Sequence, residues 1–140
     1  MAGRDHNYTR QAVLGAAFAV PAFVDCASTG ADPARVAAWE RAVAALRRAE
    51  AEMDAFCRGC RANGGLVFSD PWEMDARFDD HLGNFYEALR RLIGTPAPDF
   101  AALAAKIVLA VDYEVGALTG GDRCLAALKA DVRWLALTLR

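Results

Sequence analysis

The chain has 140 residues, with 16 Lys and Arg against 18 Asp and Glu for a net charge of -2, and 55% of its residues are hydrophobic. That length suits one compact domain, and so apolar a composition excludes an intrinsically disordered chain. No apolar run reaches the roughly 20 residues of a membrane-spanning helix, and the near-balanced charge gives no general attraction to nucleic acid.

Residues 1–30 admit two readings. Ala12 to Val24 is a run of 13 small and apolar residues, preceded by Arg4 and Arg10 and followed by Cys26-Ala27-Ser28-Thr29-Gly30. A charged start, a short apolar middle and small polar residues after it describe a secretory signal. Thr9-Arg10-Gln11-Ala12-Val13-Leu14 resembles a twin-arginine export motif, with Gln11 where the second arginine belongs. There is no Ala-x-Ala cleavage site, and Asp25 beside Cys26 does not fit a lipoprotein box. The other reading is a retained helix with Val13, Ala17, Val20 and Val24 on one side and Pro21 bending it. The first reading implies export; the second leaves a cytoplasmic protein whose single helical domain occupies 31–140.

Asp32-Pro33 then marks a helix start, a capping carboxylate followed by proline at the first helical position. From Val36 the positions Trp39, Val43, Leu46, Glu50, Met53, Cys57 and Cys60 follow in steps of three and four, the spacing of a seam for a partner helix. Asn63-Gly64-Gly65 ends the segment. About 30 residues make a rod of roughly 45 Å. Asp70-Pro71-Trp72-Glu73 opens the next helix in the manner of a capping box. Phe78, Leu82, Phe85, Leu89 and Leu92 repeat the spacing up to Gly94, so the two segments are expected to pair as a long antiparallel hairpin. Leu66, Val67 and Phe68 in the intervening loop are placed to pack over its end.

Thr95-Pro96-Ala97-Pro98-Asp99 is a stop and restart, because each proline disfavours helix at the residue before it. Phe100, Leu103, Ile107, Val111, Val115 and Leu118 are predicted to line one face of the following helix. Gly120-Gly121 breaks it, Asp122 can cap the next, and Leu125, Leu128, Val132, Leu135 and Leu139 form the last stripe. The expected fold is all-α, a helical bundle built from a long hairpin and a shorter C-terminal one.

Chemistry-bearing patterns are few. Cys57-Arg58-Gly59-Cys60 has the spacing with which two thiolates meet one metal ion or each other. Structural zinc needs four ligands, and only Cys26, Cys124, His6 and His81 remain to complete a set, none of them in a second paired motif. The pair falls on the apolar seam, where free cysteine behaves as a small hydrophobe. Asp70, Glu73, Asp75, Asp79 and Asp80 crowd one helix start beside His81, an arrangement the helix dipole favours without any ligand. Arg41, Arg47, Arg48, Arg58 and Arg61 are offset by neighbouring carboxylates and are not interleaved with aromatics as a nucleic-acid surface would be. The glycine pairs lack the context of a phosphate loop, and neither Ser28 nor Ser69 sits in a nucleophile elbow.

The segment Thr95-Pro-Ala-Pro-Asp-Phe-Ala-Ala-Leu-Ala-Ala-Lys-Ile, with Gly120-Gly121, Cys-Leu-Ala-Ala-Leu and Ala130-Asp131-Val132 after it, is similar to small uncharacterised helical proteins of GC-rich bacteria. Some of those lie near prophage genes and some carry twin-arginine-like leaders. The resemblance spans about residues 85–140 and implies helices and a bacterial origin, with no activity attached.

The expectation is therefore a non-enzymatic helical interaction or structural protein, with no catalytic residue, cofactor, nucleic-acid partner or membrane span. A rod longer than the C-terminal helices can cover is expected to leave an apolar ridge at Trp39, Val43, Leu46 and Met53 for a homo-oligomer or another protein. The alternative is a metal- or redox-responsive protein using Cys57 and Cys60.

Overall fold

A computed structural model describes residues 32–62 and 71–138. The readings made of residues 1–30, of the Leu66–Phe68 loop and of the Asp70 cap lie outside the described residues. Those described form α1 (Pro33–Ala62), α2 (Pro71–Gly94), α3 (Phe100–Asp112), a 3-10 turn (Val115–Ala117) and α4 (Gly121–Thr138). The fold is all-α, with no strand among the described residues.

Local chemistry starts the helices where the sequence says it should. An Asp32 carboxylate oxygen accepts from the Ala34 backbone N–H at 3.0 Å, and Asp99 accepts from Ala102 N–H at 2.8 Å. Each satisfies one amide that a helix N-terminus leaves without an intrahelical partner. The Asp122 cap does not form. Gly120, at φ +83°, makes the turn, and α4 begins at Gly121 with Asp122 inside its first turn. A Cβ at Gly121 would run into the Val115 carbonyl oxygen, so the close approach of turn and helix needs glycine there.

Helices α1 and α2 bury Trp39, Val43, Leu46, Met53 and Cys57 from one side and Phe85, Leu89, Leu92 and Ile93 from the other. Phe56, late in α1, lies 4.8 Å from the His81 ring and 6.4 Å from Phe78, both early in α2. At the opposite end, Arg35 donates to the Ala97 carbonyl just past α2, at 3.4 Å. One expectation is corrected here. Trp39 is 4% exposed, Val43 8%, Leu46 0% and Met53 1%, so the four residues expected to form a free ridge are core. The C-terminal helices are indeed short, but α2, at 24 residues, covers the seam that they do not reach.

The C-terminal pair is corrected differently. The helix expected to run to Leu118 stops at Asp112, where Tyr113 caps it and Glu114 turns left-handed at φ 48°. On α3 the buried positions are Ala102, Leu103, Lys106 and Leu109, while Phe100, Ile107 and Val111 from the predicted core stripe are exposed. On α4 the buried side chains are Cys124, Asp131 and Leu135, and Leu125 and Val132 face out. Both helices are rotated about one residue from the orientation that apolar periodicity implies.

Candidate functional site

At the centre of the rotated pair lies a buried ion pair. Lys106 on α3 is 0% exposed and Asp131 on α4 is 4% exposed. The Lys106 ammonium donates to one Asp131 carboxylate oxygen and to the Thr95 carbonyl at 2.8 Å. The other Asp131 oxygen accepts from the Ala97 backbone N–H at 3.1 Å. One pair thus joins α3, α4 and the 95–97 connector, which carries the kind of polar backbone that burial penalises unless it is bonded. Burial pushes the Lys106 pKa below its ordinary 10.5, and the hydrogen bond and charge of Asp131 oppose the shift. Desolvation of the two ions consumes much of their attraction, so the pair serves position more than stability.

Turning Lys106 inward turns apolar residues outward. Seven of the eight large apolar side chains exposed among the described residues belong to this C-terminal pair, from Phe100 to Leu137; the eighth is Trp72. On α3, Phe100, Ala104, Ile107 and Val111 recur in steps of four, three and four, with Val108 alongside, and no charged residue interrupts the outer face before Asp112. On α4, exposed Leu125 and Val132 flank half-buried Leu128 at the spacing of a narrow helix-pairing seam. In general, contiguous exposed apolar surface is where contact sites are found.

The cysteine alternative finds less support. Cys57 is buried, Cys60 half-buried, and both are free thiols. Burial pushes the Cys57 thiol up, partly offset by Arg61, and this works against the thiolate that metal binding and disulfide exchange require. Among the described residues, no group of three or more His, Cys, Asp and Glu converges to hold a metal ion. His81 packs on Phe56, and Glu73, Asp79 and Asp80 are exposed. No helix among the described residues is long and apolar enough to cross a membrane.

One feature escaped the sequence reading because its parts are far apart in the chain. Arg90, Arg91, Thr119, Gly120, Arg123 and Cys124 line a cleft of about 500 Å³ between α2 and the start of α4. Its guanidiniums suit anions, although Glu87 already neutralises part of their charge, at 3.5 Å from Arg90 and 3.6 Å from Arg91.

Comparison with known protein families, curated proteins and solved structures finds no match for this chain. Among the described residues, the protein is all-α, its longest helix buries its apolar seam, and its C-terminal helices carry apolar side chains on the outside.

Proposed function

We propose that this is a non-enzymatic helical interaction or structural protein that self-associates through the outer face of α4. The observation that supports this reading is the exposure of Leu125 and Val132 in line on a helix whose inner face is already satisfied. A two-fold antiparallel pairing sets the same face of both copies together, the isologous arrangement of most homodimers. Val132 is 49% exposed, so Val132→Asp adds charge to the seam without disturbing the core. Light scattering of the wild type should give a multiple of 15.0 kDa, and the variant should return to the monomer. A monomeric mass for both proteins contradicts the proposal.

A further inference from the structure

We propose that the cleft between α2 and the start of α4 binds a small phosphorylated molecule, with Arg90, Arg91 and Arg123 as partners of its phosphoryl group. The inference goes beyond self-association and assigns no reaction to the site.

The first observation is an imbalance of charge. Three guanidiniums, two from α2 and one from α4, line the cleft of about 500 Å³ against the single carboxylate of Glu87. That carboxylate is already divided. One oxygen lies 3.5 Å from Arg90 and the other 3.6 Å from Arg91, beyond the roughly 2.7–2.9 Å of a charge-assisted hydrogen bond. Arg123 forms no ion pair among the described residues. Asp122, in the first turn of α4, does not line the cleft. The surplus of positive charge reaches the inner wall, where burial pushes the Cys124 thiol up and Arg90 and Lys106 pull against that shift.

The second observation is room that the fold does not require. The volume falls within the roughly 300–1,000 Å³ of small-molecule sites. At Gly94, on the cleft wall, an added Cβ would meet no atom within 4 Å, and the backbone there is not left-handed. Neither a turn nor close packing calls for glycine at that position, and the missing side chain keeps the wall open. Gly120 differs: its φ of +83° makes the turn into α4, an 18-residue helix whose dipole adds positive character at this end.

The third is the shape of the donor set. A carboxylate offers two oxygens in one plane and a single charge, so one guanidinium fork satisfies it. A phosphate monoester carries nearly two charges at neutral pH and three terminal oxygens. Those oxygens can accept from forks that arrive from two different helices, and the charge matches the surplus left after Glu87.

Amide NMR of the full chain, titrated with pyrophosphate at fixed ionic strength, tests the assignment. The Gly94, Gly120 and Arg123 signals should shift and saturate, while succinate at the same ionic strength should bind far more weakly. Arg123→Gln should weaken pyrophosphate binding about tenfold, the effect of losing a hydrogen bond to a charged group. Gly94→Leu keeps every charge and narrows the cleft, and it should weaken binding several-fold. Both positions are exposed, so the rest of each variant's spectrum should match the wild type. Shifts that never saturate and extend to Arg41 and Arg48 on α1 would show ionic screening alone and overturn the proposal. Equal binding of succinate would overturn the phosphoryl assignment, and unchanged affinity in either variant would overturn the site.

Discussion

The α1–α2 pair and the α3–α4 pair place polarity in opposite ways. Along α1, Leu46 and Met53 are enclosed while Arg41, Arg47, Arg48 and Arg58 face solvent, the ordinary arrangement of a surface helix. In the C-terminal pair a lysine and an aspartate lie inside, and Ile107, Val111 and Val132 lie outside. The first pair buries its apolar seam, and Trp72 is the one large apolar side chain exposed among its described residues. In the second, a polar connector fixes the rotation of both helices, and the surface left over is available for binding.

The contrast can be broken most forcefully at the ion pair. Asp131→Ala leaves the Lys106 ammonium without its counter-ion and the Ala97 N–H without its acceptor, and should cost about 3–5 kcal/mol in urea unfolding, the range for removing one partner of a buried pair. The double substitution Lys106→Met with Asp131→Leu should recover only part of that loss, because the Ala97 N–H and the Thr95 carbonyl still lose their bonds. A single variant as stable as the wild type would show that neither the buried ammonium nor the Ala97 N–H depends on Asp131. In the α1–α2 pair, Leu46→Ala empties a fully enclosed site and should cost about 2–5 kcal/mol. Leu137→Ala, at a side chain 67% exposed, should fall within about 0.5 kcal/mol of the wild type by the same measurement. Equal losses at Leu46 and Leu137 would erase the distinction between a closed region and an open one.

How much of this could be read in advance follows the same division. The starts of α1 and α3 were legible because a cap is a local event, settled by Asp32 or Asp99 and the amides two or three residues on. The seam of α1 was legible because all but Glu50 of the residues on it obey the rule that apolar side chains go inside. Its role was misjudged, since periodicity identifies an apolar face without saying what covers it. On α3 and α4 the rule itself misled. Lys106 finds its partner 25 residues later in the chain, and nothing in a local window signals that the only lysine of α3 goes inward. Once it does, Phe100, Ile107 and Val111 are carried outward, and a predicted core stripe becomes the candidate surface. The end of α3 was missed for a related reason. Val115 is 0% exposed and continues the apolar count, but it reaches the core from a 3-10 turn after a left-handed Glu114.

The inverted polarity of the C-terminal pair is open to one direct chemical test, because the chain has two lysines and they lie on opposite sides of this division. Lys106 is fully enclosed and Lys129 is exposed. Brief treatment of the native full chain with an amine-reactive acetylating reagent, followed by peptide mass spectrometry, should modify Lys129 and leave Lys106 intact until the protein is unfolded in denaturant. Modification of both lysines at the same rate in the native protein would contradict the buried pair and the exposed apolar surface that follows from it.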